Sequence, residues 1–119
     1  MNDWLSRPDA INPGQLRDQL RVESQPTGRD ASGGMSLNDP WPTFANVFGR
    51  IDTLTGREQE QASKQWEDVT VQILIRSNEG IDPTMRVFAV DTGVYYDIRG
   101  IVPIGTQRRW SVLMCREHV

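Results

Sequence analysis

With 119 residues, 37% hydrophobic and 24% charged, the chain has the size of one globular domain and no room for a second independent core. Its single cysteine, Cys115, excludes a disulfide scaffold, and no apolar run approaches the roughly 18 residues of a membrane span. The balance of 13 basic against 16 acidic residues, a formal charge of -3, argues against a domain held to nucleic acid by a broad basic face, though not against a wall that DNA slides past.

Residues 1–14 hold Pro8, Pro13 and isolated apolar side chains without a period, as in an arm that orders against something else. The opening Met1, Asn2, Asp3 and Trp4 lack the basic-then-apolar pattern of a signal peptide, so synthesis in a reducing cytoplasm is expected. Over residues 18–25, Leu20 and Val22 alternate with Gln19, Arg21 and Glu23, the two-residue period of a half-buried strand whose polar set faces water. Residues 25–42 then form a long loop rich in proline and glycine, with Gly28, Arg29, Asp30, Ser32, Gly33 and Gly34 at its tip. A loop of this length is uncommon in a compact domain unless it is functional.

Strand character returns over residues 43–53, where Phe44, Val47, Phe48 and Ile51 predict cover on both faces. A helix is expected over residues 55–67, opened by a Thr55 and Glu58 capping box and carrying Ala62 and Trp66 on one stripe. Val69, Val71, Ile73 and Ile75 alternate through the clearest strand. Residues 86–90 and 94–98 read as a hairpin around Asp91-Thr92-Gly93, with Tyr96 and Ile98 on one face. Residues 99–107, with Pro103 and Gly105, read as a link to a final strand over 108–117. This order predicts a mainly β fold: a small six-stranded β-barrel, closed or nearly so, with one short α-helix over an open end and the long loop between the first two strands. Residues 15–119 are then a single barrel domain behind the 1–14 arm.

Catalytic chemistry finds little to stand on. His118 is the only histidine and lies beside the C-terminus, a poor place for a Cys115–His118 pair, and one His with one Cys builds no metal site. Glu58, Glu60 and Glu67 are ordinary surface-helix glutamates, and Gly33-Gly34 lacks the lysine and strand-to-helix context of a phosphate cradle. No cofactor is expected. The one basic-aromatic cluster, Arg108 and Arg109 with Trp110, Tyr95 and Tyr96, supports an alternative reading as a nucleic-acid-binding barrel in which the aromatics stack bases.

A series of short motifs in order carries a resemblance. They are Pro13-Gly14-Gln15-Leu16-Arg17, Thr27-Gly28-Arg29-Asp30 with Gly33-Gly34 ahead of Trp41, and Val47-Phe48-Gly49-Arg50-Ile51 leading into Leu54-Thr55-Gly56-Arg57-Glu58. Val69-Thr70 to Ile75-Arg76, Tyr96-Asp97-Ile98-Arg99-Gly100-Ile101 and Leu113-Met114-Cys115-Arg116-Glu117 follow. In this order the chain resembles the head-tail joining proteins of tailed phages, also called head-closure, head-completion or stopper proteins. The resemblance implies a non-enzymatic part of the virion neck, made in the host bacterial cytoplasm, of a phage or a phage-derived particle. It further implies a homo-oligomeric ring of about 12 copies between portal and adaptor proteins above and tail or tail-terminator proteins below. Such a ring closes the DNA exit channel, passes double-stranded DNA without reading its sequence and touches no membrane. By position, the tip residues Gly28, Arg29, Asp30, Ser32, Gly33 and Gly34 become the channel or neighbour contact, and Trp4 and Leu5 a contact arm.

Overall fold

The computed structural model describes Trp4 and residues 11–26, 40–105 and 109–118. A 3-10 turn at Pro13–Gln15 precedes β1 (Asp18–Glu23) and β2 (Thr43–Thr53), then helix α1 (Gly56–Ala62) and β3 (Val71–Arg76). Strands β4 (Arg86–Ala89), β5 (Val94–Ile104) and β6 (Trp110–Glu117) complete the chain. All six strands pair antiparallel in one closed barrel, in the spatial order β1, β2, β3, β6, β5, β4, with β4 returning to β1. This is the mainly β, six-stranded barrel with one short helix that the sequence predicts.

Two-residue alternation builds the interior. Leu20 and Val22 of β1, Val71, Ile73 and Ile75 of β3, Val87 and Ala89 of β4, Tyr96 and Ile98 of β5, and Leu113 and Cys115 of β6 form one buried cluster. The residues between them are not all surrendered to water. Leu74, Val112 and Met114 point outward and join Trp4, Leu54, Val69, Ile104 and Trp110 in a second cluster, with Ala62 and Trp66 packed against it. Strands β3 and β6 are therefore buried on both faces, and α1 covers the outer wall over β3, β6 and β5 rather than an open end of the barrel. A six-stranded barrel this small encloses one layer of side chains, so the additional apolar residues find cover only outside it.

The helix is also shorter than the expected 55–67. Its start follows the predicted capping box, the Glu58 amide donating to Thr55 Oγ1 and the Thr55 amide to Glu58 Oε1 at 3.0 Å. It stops at Ala62 because Trp66 must turn down onto Gly100 of β5, where its indole fills the space a side chain would occupy. Successive turn bonds, such as Trp66 N–H to the Ala62 carbonyl at 2.9 Å, and a left-handed Asp68 (φ 56°) then carry the chain into β3.

Residues 99–104 are strand rather than link. A bulge between Ile98 and Gly100 shifts the inward set by one residue, and β5 stays paired with β6 as far as Ile104 opposite Trp110. Pro103 is tolerated because β4 flanks β5 only as far as Asp97, leaving the later stretch one free edge.

Two of the strand glycines mark close approaches. A Cβ on Gly49 of β2 would sit 2.7 Å from both Leu20 Cδ1 and the Leu74 carbonyl oxygen inside the barrel, and one on Gly100 would strike the Trp66 indole. Gly56, at the first turn of α1, faces open space. Urea unfolding should show Gly100→Val destabilising by about 2 kcal/mol through overpacking, and Gly56→Ala stabilising by about 0.5 kcal/mol. Complete burial pushes the Cys115 thiol far above its ordinary pKa. It should stay inert to a disulfide reagent in buffer and react as one thiol per chain in denaturant.

Candidate assembly interface

The long loop leaves β1 and returns to β2 from a braced root. The Ser24 amide donates to the Pro42 carbonyl at 3.0 Å, joining the two limbs just beyond the strands. At the last β1 residue the register with β2 slips, Val22 pairing with Ala45 but Glu23 with Thr43. Phe44 is left without a partner on β1 and lays its ring over Gly80 instead.

Glu23 is only 3% exposed, although its place in the alternation predicts a solvent-facing carboxylate. Arginines from two strands cover it: Arg21 Nε and Arg86 Nε each donate to one of its oxygens at 2.8 Å. The Arg86 guanidinium lies over the rings of Trp41 at 4.3 Å and Tyr95 at 4.2 Å, and that of Arg21 over Phe88 at 4.6 Å. Phe88 and Tyr95 touch in a tilted pair with centroids 4.7 Å apart. A buried carboxylate is tolerable only with both oxygens occupied, and cations stacked on rings gain further where water is excluded. Trp41 belongs to the returning limb, so this network ties the root of the loop to β1, β4 and β5. Arg21 and Glu23, two apart on one strand, could have signalled a same-face ion pair; nothing local in the sequence points to Arg86 or Tyr95.

The expected contact residues Gly28, Arg29, Asp30, Ser32, Gly33, Gly34 and Leu5 lie outside the described residues. Trp4 is buried to 4% exposure in the second cluster, with Arg50 over its ring at 5.8 Å. The aromatic platform of the nucleic-acid alternative is not assembled. Tyr96 faces the barrel interior, Trp110 is buried in the outer cluster, and Tyr95 is stacked in the network, while Arg109 is exposed and Arg108 lies outside the described residues. Cys115 is likewise interior whereas His118 is exposed, its Nδ1 3.0 Å from Asp97 Oδ2 and its backbone N–H donating to the Tyr95 carbonyl. The Glu58 carboxyl is held below its usual range by the Thr55 backbone and side-chain hydrogen bonds, the opposite of what a general acid needs. No group of three or more His, Cys, Asp or Glu among the described residues is placed to hold a metal ion, and no helix there is long and apolar enough to cross a membrane.

Removing Arg86 leaves the Glu23 carboxylate half paired and Trp41 without its cation. Arg86→Ala should therefore cost about 3 kcal/mol, and denaturant titration followed by tryptophan fluorescence would measure it. The double variant Glu23→Leu/Arg86→Met should recover much of that loss.

Comparison with known proteins agrees with this architecture. The chain is similar to protein SF1141 from Shigella flexneri 2a, whose solution structure superposes with a TM-score of 0.71 at 23% identity, over 90% of this chain and 96% of that one. That likeness concerns the fold. No curated protein matches the chain. The sequence family described as phage head completion protein matches residues 11–118, which include all six strands, the helix and the loop, and the chain is therefore a member of that family.

Proposed function

We propose that the chain assembles as a homo-oligomeric ring below the portal and adaptor in the neck of a phage or phage-derived particle, closes the DNA exit channel after packaging, and presents a docking surface to the tail. Membership of the phage head completion family supports a structural role in the virion. The observation that carries the finer reading is the braced root of the 25–42 loop. A loop serving only to connect two antiparallel strands needs a few residues. This one is long, and Glu23, Arg86, Trp41 and Tyr95 hold both limbs where they leave the barrel. An excursion fixed at its base and supported elsewhere by partners suits a channel-side or neighbour-contacting element. In this reading the tip, Gly28, Arg29, Asp30, Ser32, Gly33 and Gly34, meets the channel or the next subunit, and residues 1–14 form a contact arm rooted at Trp4. The chain's role is structural, with no reaction assigned to it, and the net charge of -3 lets DNA pass without deep electrostatic traps.

Cryo-microscopy of the chain on its portal–adaptor complex tests this, comparing wild type with a variant in which a short linker replaces residues 28–35. The expected result is a ring in both cases, with the channel closed by wild type and open in the variant. Failure of the wild-type chain to bind the complex would overturn the assignment to the neck.

A further inference from the structure

We propose that the bare outer wall of β4, β1 and β2 is a protein-docking surface whose occupant is an acidic segment of a neighbouring neck protein, one in which carboxylates flank apolar side chains. This rests on the neck reading for the source of that segment, while the surface is a property of the barrel itself.

Apolar exposure is concentrated on this wall. Phe44, Phe48 and Val90, at 42%, 61% and 43%, are the large apolar side chains left exposed among the described residues. Phe44 and Phe48 stand on the outer face of β2, roughly 13 Å apart along the strand. The Val90 amide donates to the Gln19 carbonyl at 3.0 Å, so Val90 continues β4 by one step beside Gln19, which pairs in turn with Phe48. Val87 and Ala89 fill the interior, and Val90, like Phe88, therefore projects outward. On the other side, the register that pairs Gly49 with Ile75 brings Arg76 of β3 beside Phe48. Val90, Gln19, Phe48 and Arg76 thus form one outward row across four strands, with neighbouring strands about 4.8 Å apart. The helix and Trp66 lie over β3, β6 and β5, away from this row. Exposed apolar groups gathered on one uncovered face mark an interaction site, unlike the scattered single residues of an ordinary surface.

Arginines surround the row. Arg50 follows Phe48 on the same face of β2, and Arg21 follows Gln19 on β1. One step beyond the pairing of Asp18 with Gly49, Arg17 comes opposite Arg50. Like charges set directly opposite cost stability, and uncharged acceptors hold these two. Arg17 Nε donates to the Gly14 carbonyl and Arg50 Nη1 to Gln15 Oε1, both at 3.0 Å. The 3-10 turn over Pro13–Gln15 therefore fixes both guanidinium groups without neutralising either. Arg76 lies over the Trp110 ring at 5.3 Å, again without a counter-charge. None of Arg17, Arg50 and Arg76 makes an ion pair with a described carboxylate. The acidic groups nearest to them are already engaged: Glu23 is shared by Arg21 and Arg86, Asp18 accepts the Ile51 amide, and Asp52 has an interaction of its own.

This combination selects the partner. Arginine and exposed aromatic side chains together make the anchors of protein interfaces. Three cations held in place without counter-charges call for carboxylates on the opposing surface, and the apolar side chains between them call for apolar groups beside those carboxylates. Duplex DNA would satisfy the arginines and leave Phe44, Phe48 and Val90 against phosphates. A two-fold pairing of the wall with itself would set arginines against arginines.

Three variants of the full chain at exposed positions test this: Phe48→Ser, Arg76→Gln and Gln19→Glu. The last sets one carboxylate in the centre of the wall without removing an apolar or arginine side chain, and unchanged urea midpoints would show that all three fold. The probe is a set of extended peptides alternating Glu with Leu or Phe, and a matched set with Lys in place of Glu is the control. Wild type should bind the Glu set and not the Lys set, and its affinity should weaken about tenfold between roughly 50 and 300 mM salt. Phe48→Ser should cost about tenfold at either salt concentration, the loss expected of an interface anchor, while Arg76→Gln and Gln19→Glu should lose most at low salt. No preference for the Glu set, or a preference that none of the variants lowers, would overturn the proposal even if wild type forms its ring on the portal–adaptor complex. If the peptide results hold and wild type binds no portal–adaptor complex, the surface and the chemistry of its occupant stand and the neck reading falls. Tighter binding of a short DNA duplex, weakened by Arg76→Gln and not by Phe48→Ser, would make the wall a nucleic-acid contact. A wild-type dimer in sedimentation that Phe48→Ser dissociates would make it a contact between copies. Either result would overturn the proposal.

Discussion

Closure of the barrel depends on its shortest strand. β4 has four residues, and its pairing with β1 is four residues long, from Leu20 with Ala89 to Glu23 with Arg86, against the eight pairs that join β5 and β6. Without that seam β1 and β4 would be open edges able to template unwanted pairing. The structure concentrates side-chain interactions there: Val22 and Val87 meet inside the barrel, while outside it Arg21 stacks on Phe88 and Glu23 binds Arg86. Each of these adds a modest amount; together they reinforce a ladder that, like the one between β4 and β5, has four pairs.

The same seam explains why the two outer walls differ in chemistry. Over β3, β6 and β5 the barrel is thickened by α1, Trp4 and Trp66 into a second apolar layer. Over β1, β4 and the first half of β5 no helix lies outside among the described residues, and the wall is closed by a polar-aromatic network in which two arginines share one buried carboxylate. A domain of this size buries about two thirds of its unfolded surface, and it does so here with one conventional core and one core on the outside of the sheet. What remains exposed is correspondingly specific: Phe44, Phe48 and Val90 are the large apolar residues left to solvent among those described.

Much of this was legible in the sequence where a signal is local. The alternation of Val71, Ile73 and Ile75, the β-branched and aromatic run over residues 43–53, and the Thr55–Glu58 capping box all act within a few residues, and the corresponding elements form as expected. What was misread depends on distant partners. Pro103 looks like a strand breaker until β4 is seen to end opposite Asp97. Trp66 looks helical until Gly100 offers it a seat. Glu23 looks solvent-facing until Arg86, 63 residues later, covers it. The outward apolar residues Leu74, Val112 and Met114 are the same case, since a strand buried on both faces differs from a half-buried one only in what lies above it.

The rooted loop has a mechanical consequence. A load applied to its tip along the barrel wall enters β1 and β2 at the same level, because the two limbs are joined by the Ser24–Pro42 hydrogen bond. It then runs along both strands, where the ladders to β4 and β3 lie perpendicular to the pull. Such bonds are strained together in shear rather than unzipped one after another, so the attachment resists as a set. The two strands that carry the loop thus share a load that neither would have to bear alone.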